Sequence, residues 1–309
     1  MQFLFLFIDG VGLGPDDPDS NPFARADMPN LKNLLGGQRL VKDTVEANNG
    51  YAISEKATLI ALDATLGMNG HPQSASGQAA ILTGINIPKT LGYHYGPKPN
   101  PEIKDLLKNN SLFHLLKERG LKAALLNAYP QRYFDRIESG RSLPGAVAMA
   151  ALQAGIRLKT TEDLIKGKAL SADFTGDGWR DHLQIADIPT ITHHKAGERL
   201  AQLSSNYDFA FFEYWISDYA GHRADMVKSC QLLETFDVVL GGLLTAWHNT
   251  NSLLFITSDH GNLEDMATRR HTLNPVPGLV IGPNDLRRKF VHRLVDLLGI
   301  APAILQLFE

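Results

Sequence analysis

Apolar positions along this chain follow two rhythms. Short, nearly unbroken apolar runs at 2–8 (QFLFLFI), 57–63, 121–127, 208–214, 252–257 and 278–281 have the length of strands buried on both faces. Between them, apolar residues recur at helical spacing over 29–36, 75–84, 111–119, 144–154, 196–205, 227–247 and 289–298. Pro29 at a helix start and Gly120 after LLKER suit helix boundaries. Strands alternating with helices predict an α/β fold: three layers, α/β/α, around a mainly parallel central sheet. Residues 86–195 are richer in Pro, Gly and Tyr and hold one clean helix-strand unit, 111–127. They are expected to form a small inserted or substrate-facing lobe within a single 1–309 domain, at most a small cap.

Composition narrows the function classes. The 309 residues are 44% hydrophobic and 20% charged, as in an ordinary soluble domain. A net charge of −3 with no Lys/Arg run gives no electrostatic grip on nucleic acid. The N-terminal run MQFLFLFI has no positive flank and leads straight into Asp9-Gly10, so it is expected to be a first strand and not a signal peptide. No run reaches the roughly 18 apolar residues of a membrane span. One cysteine, Cys230, excludes an internal disulfide and is expected to pack in a helix; the expected location is the cytoplasm.

The chemistry sits where strands are predicted to end. Asp9 follows the first strand, Asp218 and His222 follow DFAFFEYWIS, Asp259 and His260 follow NSLLFITS, and His271 comes soon after. Open α/β sheets collect ligands at that edge. Six carboxylate and imidazole ligands are about what two neighbouring divalent cations need, and Asp/His sets of this kind take Mn2+ or Zn2+. Asp218 and His222, four apart, face the same way on a helical turn. Each residue alone would read as a cap or turn; the set together does not. A nucleophile is expected nearby, and Ser74 and Ser76 in GHPQSASGQAAILTG open a predicted helix. Taken alone, both serines would read as helix caps. The glycines at 10, 12 and 14 do not fit G-x-G-x-x-G, so no dinucleotide site is expected.

These segments resemble the alkaline phosphatase superfamily, and more closely its branch of cofactor-independent phosphoglycerate mutases and phosphopentomutases. FIDGVGLG (7–14), DYAGHRAD (218–225), SDHGNLED (258–265) and HTLNPVP (271–277) are similar to that group's motifs and occur in its order. The resemblance implies one metal on Asp218, His222 and His271, and a second on Asp9, Asp259, His260 and the nucleophile. It favours manganese. It also favours Ser74 over Ser76, because the superfamily's nucleophile commonly lies ten residues before a Thr-Gly turn, here ending at Gly84. The chain departs from the mutases in being shorter, without room for their large separate lobe, and in carrying Gly77-Gln78 where they carry Gly-His. No Cys-x-Pro-x-Arg segment points to a sulfatase.

The expectation is therefore a two-metal phosphate-ester hydrolase acting through a phosphoserine on Ser74, with a small phosphorylated molecule as substrate. Two alternatives stay open: a phosphomutase, and a non-catalytic metal-binding relative. GYHYGPKP (92–99) and AYPQRYF (128–134) offer His94, Lys98, Arg132 and Tyr133 as substrate contacts, with surface-loop packing as the competing reading. The oligomeric state is not legible in the sequence.

Overall fold

The computed structural model describes residues 1–47, 50–247 and 250–309. Seven strands among them form one sheet: β1 (Gln2–Ile8), β2 (Tyr51–Ile53), β3 (Ala57–Leu62), β4 (Ala123–Leu125), β5 (Phe209–Tyr214), β6 (Ser252–Thr257) and β7 (Val276–Ile281), in the order β2-β3-β7-β6-β1-β5-β4. β6, β1, β5 and β4 run parallel. β7 opposes β6 and β3 opposes β7, which returns β3 to the common direction; β2 opposes β3. The sheet is thus mixed and mostly parallel.

Alternation along β1 explains the three layers. Phe3, Phe5 and Phe7 enter one core with the helices Ser74–Thr83, Leu112–Glu118, Ala146–Gln153 and Ile300–Leu307. Leu4, Leu6 and Ile8 enter the other with Pro29–Leu34, His193–Ser204 and Met226–Ala246. Successive strand side chains point to opposite faces, so a run apolar at every position needs a covering layer on both. The helices His193–Ser204 and Met226–Ala246 pack backbone to backbone: a Cβ on Gly197 would overlap the carbonyl of Val239, and one on Gly242 that of His194. Half-buried Cys230 lies on the Met226–Ala246 helix, as expected.

One predicted helix is corrected, and one strand lies outside the predicted set. The helix read at 289–298 is instead Asn284–Val291, followed by a short 3-10 turn at Leu297–Gly299 and a helix Ile300–Leu307. Arg293 has a left-handed backbone (φ 66°), and Asp296 accepts hydrogen bonds from the N–H groups of Leu298 and Gly299, so the apolar period continues across a chain break in helicity. The strand at 51–53 was not foreseen; with Tyr51 and Ile53 exposed at the sheet edge, it has no buried run to announce it.

Residues 86–195 contribute β4 and several helices to the main core, and a small separate core of Ala128, Leu164, Ala169, Trp179 and Ile188. No helix among the described residues is long and apolar enough to cross a membrane.

Candidate metal centre

The parallel strands deliver their following residues to one sheet edge. Asp9 follows β1, the Ile216–Arg223 helix with Asp218 and His222 follows β5, and Asp259 with His260 follows β6. β7 runs back against β6, so the 261–275 loop stays at the same edge and brings His271 there; Gly261 and Thr272 bridge across it. Asp9 leads into Gly10, whose φ of +67° and closeness to Asp218 leave no room for a side chain. Ser217 Oγ donates to the carbonyl of Asp9 (2.6 Å), tying the first two segments together.

One group of side chains is Asp218, His222 and His271. His222 Nδ1 donates to the carbonyl of Arg269 (2.9 Å), and His271 Nδ1 donates to that of Pro72 (2.6 Å). A carbonyl only accepts, so each neutral ring keeps its proton on Nδ1 and presents a lone pair at Nε2. Those two Nε2 atoms stand 3.3 Å apart. Asp218 Oδ2 is 3.4 Å from His222 Nε2, and Oδ1 is 3.7 Å from His271 Nε2. Lone pairs and a carboxylate facing one point repel one another unless a cation lies among them. The donor set fits a divalent ion.

The second group is Asp9, Asp259 and His260, all buried, with one ligand atom from each lying within 4.8 Å of the others. His260 Nε2 is 3.6 Å from Asp9 Oδ1 and 3.7 Å from Asp259 Oδ2. Asp9 Oδ1 is buried with no hydrogen-bond partner. Burial, then the charge of Asp259, holds the Asp9 carboxyl well above the carboxylate range, while burial and Asp218 lift Asp259 to about 6. Burial drives the His260 imidazole down to about 3, so it is neutral and able to ligate. An unpartnered carboxylate oxygen beside a second buried carboxylate is the second fit to a cation. His260 stacks on His271 (3.6 Å, 14°) and, with Asp218 and His271, also forms a further possible three-ligand group, so it stands between the two sets.

Ser74 Oγ lies 3.1 Å from His260 Nε2. Ser76 is occupied elsewhere: fully buried, its Oγ donates to the carbonyl of Gln73 (3.1 Å) and accepts from the N–H of Tyr95 (3.0 Å). Neither serine caps the helix, whose N-cap is Gln73. Gly77 packs on Asp259, where a Cβ would come within 3.0 Å of its carbonyl oxygen.

The four substrate candidates differ in what ties them to this centre. The Tyr95–Ser76 bond and the contact of Gly96 with the Ser74 backbone set the 93–98 loop against the start of the Ser74–Thr83 helix. His94 is half-buried with Nε2 unpartnered, and burial lowers its pKa; Lys98 is exposed. Tyr133 stacks on Tyr129 (4.4 Å), whose hydroxyl donates to Glu213 Oε2 (3.1 Å) at the end of β5. Arg132 is exposed on the Gln131–Glu138 helix.

Several residues of the centre were not singled out from the sequence. Gln78 Nε2 donates to Asp259 Oδ2 (3.1 Å) and Asp9 Oδ2 (3.4 Å), at the position where the sequence departs from Gly-His. Asn262 and Glu264 lie inside the SDHGNLED motif but carried no separate signal. Glu213 is a carboxyl within a strand, raised to about 7 by burial; a charged residue in an apolar run was the only signal for it.

Fold and side chains together place two candidate metal-ligand groups at the strand ends of an α/β sheet. Residues 188–309 match the sequence profile of the Metalloenzyme superfamily. The 2,3-bisphosphoglycerate-independent phosphoglycerate mutase of Ehrlichia canis is 36% identical over 110 residues, 33% of this chain and 21% of that protein. The mutase of Roseobacter denitrificans is 34% identical over 115 residues, 35% of this chain and 22% of that protein. The matched part is thus about a fifth of the length of these relatives. In fold, the chain is similar to the PH0037 protein of Pyrococcus horikoshii (TM-score 0.58, 16% identity, 99% and 96% of the two chains). It is also similar to alkaline phosphatase from the Antarctic bacterium TAB5 (TM-score 0.55, 16% identity, 99% and 97%). The fold is thus alkaline-phosphatase-like, and its C-terminal part, residues 188–309, carries the sequence pattern of the Metalloenzyme superfamily.

Proposed function

We propose that this protein hydrolyses phosphate esters of small molecules through a phosphoserine on Ser74. The observation that carries the reading is the Ser74 hydroxyl, 3.1 Å from His260 Nε2 and at the first position of the Ser74–Thr83 helix. Asp218, His222 and His271 would hold one divalent ion, and Asp9, Asp259, His260 and Ser74 the other, with Mn2+ or Zn2+ as the metals suited to this donor set. Bound there, such ions lower the pKa of the serine hydroxyl and neutralise charge on the phosphoryl oxygens.

The chain's own residues do the rest. The N–H groups of Ser74 and Ala75 at the helix start favour the phosphoryl oxygens, that of Ser76 being taken by the Tyr95 carbonyl (2.9 Å). Gln78 Nε2 donates to one oxygen of each of the Asp9 and Asp259 carboxyls, which restrains both side chains. The serine attacks phosphorus in line, the alcohol leaves, and water cleaves the phosphoserine from the opposite side. Residues 86–195 contain a small substrate-facing lobe, with His94, Lys98, Arg132 and Tyr133 as contacts to the anionic substrate.

A second reading, an intramolecular phosphomutase, is favoured by the likeness to the phosphoglycerate mutases. Retaining the phosphoryl group requires the phosphoserine to be shielded from water. The deciding experiment follows free phosphate from sugar phosphates, phosphoglycerates and nucleotides, with metal-stripped protein reloaded with Mn2+ or Zn2+ and Ser74→Ala in parallel. Metal-dependent phosphate release lost in the variant supports the hydrolase. Positional isomers without free phosphate replace it with the mutase. Neither product from any ester leaves the non-catalytic relative.

A further inference from the structure

The segments that form the centre converge on one carboxylate that belongs to neither ligand group. Glu264 is fully buried. Its Oε2 accepts from the N–H of Gly12 (2.8 Å) and the N–H of Asn262 (2.8 Å). Its Oε1 accepts from the Thr272 hydroxyl and from Asn274 Nδ2 (3.1 Å). Two donors on each oxygen fill the capacity of an ionised carboxylate. Each tie reaches a ligand segment at short range: Gly12 lies three residues after Asp9, Asn262 two after His260, and Thr272 directly after His271. The remaining segment is reached through Asn262, whose Nδ2 donates to Asp218 Oδ1 (2.7 Å) and to its carbonyl (3.1 Å). Space is fitted to this arrangement, since a Cβ on Gly12 or Gly261 would overlap the Glu264 carboxylate.

We propose that Glu264 is a positioning residue for the divalent ions, holding the Asp9, Asp259–His260 and His271 segments in one geometry. The inference rests on the reading of the Asp/His set as a metal centre. No cationic side chain pairs with Glu264 among the described residues; the donors to its two oxygens are backbone amides, a hydroxyl and a side-chain amide. Aspartate, one methylene shorter, cannot span from the Gly12 and Asn262 amides to Thr272. Glutamine keeps the shape and can still accept from both amides through one oxygen. Its NH2 can donate to the Thr272 hydroxyl, and the Asn274 amide must turn over.

The test measures Mn2+ binding by calorimetry and by electron paramagnetic resonance on wild type, Glu264→Gln and Glu264→Asp, with melting curves of the metal-free proteins. The expected result is a Glu264→Gln protein that melts cooperatively and binds Mn2+ about 10- to 100-fold more weakly, with an altered Mn2+ spectrum. Glu264→Asp is expected to bind no better than Glu264→Gln. Mn2+ affinity and spectrum unchanged in Glu264→Gln, with only the melting temperature lowered, would make Glu264 a plain structural residue and overturn the proposal. If Glu264→Gln does not fold, Thr272→Val removes a single donor. Weakened Mn2+ binding in that variant supports the proposal, and unchanged binding overturns it. A wild type that binds neither Mn2+ nor Zn2+ refutes the metal centre itself, an outcome separable from a failure of Glu264 alone.

Discussion

His222 and His271 present their Nε2 atoms to each other at 3.3 Å, although each ring already donates its Nδ1 proton to a backbone carbonyl. Among the described residues no side chain donates to that pair of lone pairs, and the Asp218 carboxyl faces the same point. The arrangement is costly without a cation and favourable with one. His271→Ala should therefore weaken metal binding by about 10-fold or more while leaving the metal-free melting temperature within a few degrees of wild type. Calorimetric titration and thermal melts on one preparation check both halves.

Metal affinity should rise with pH. Burial holds Asp9 well above its ordinary pKa and Asp259 at about 6, so both carboxyls carry protons at low pH that a divalent ion must displace. His260, depressed to about 3, is already neutral and imposes no such cost. The metal-induced rise in melting temperature is expected to be small near pH 5 and to grow through pH 6 and above. A shift that is flat or falls over that range counts against these assignments.

In the metal-free protein, Glu213 works against stability at high pH. Its folded pKa of about 7 lies above the ordinary carboxylate value of 4.5, so between those pH values the native state holds a proton that the unfolded state has lost. Stability contributed by this group is present below about pH 4.5 and is lost as pH rises through about 7. Glu213→Gln should be more stable than wild type at pH 8, by at most about 3 kcal/mol, with the gap closing by pH 5. Urea unfolding at the two pH values measures it.

The two serines should separate cleanly. Ser74→Ala is expected to reduce phosphoryl transfer by about 1000-fold or more, with little change in stability. Ser76→Ala removes the partner of Gln73 and Tyr95 in a buried site, costing about 1–2 kcal/mol of stability while turnover persists. Comparable activity losses in both would break the assignment of Ser74.

Gly242→Ala should be among the most damaging substitutions away from the centre. Its Cβ would overlap the His194 carbonyl, where the His193–Ser204 and Met226–Ala246 helices touch, and neither backbone can yield cheaply. A loss of about 3 kcal/mol or more is expected in urea unfolding.

The sequence by itself determined the alternation of buried strands and helices, because a run such as QFLFLFI admits no exposed face and the helical periods between such runs must cover it. It also made the Asp and His positions legible, since acidic and imidazole residues after apolar runs fall at the carboxyl edge of a mostly parallel sheet. The 284–307 region misled because apolar spacing there continues through Arg293, whose left-handed backbone breaks the helix. The spacing to Gly84 favoured Ser74 only through a resemblance; the tertiary structure supplies the physical reason, since Ser74 faces His260 while Ser76 is held by Gln73 and Tyr95. Only the tertiary structure decided the parts of Gln78, Glu213 and Glu264. Gln78 reaches residues 69 and 181 positions away, and Glu264 joins Gly12 across 252, so their roles come from contacts made when distant segments close at one edge.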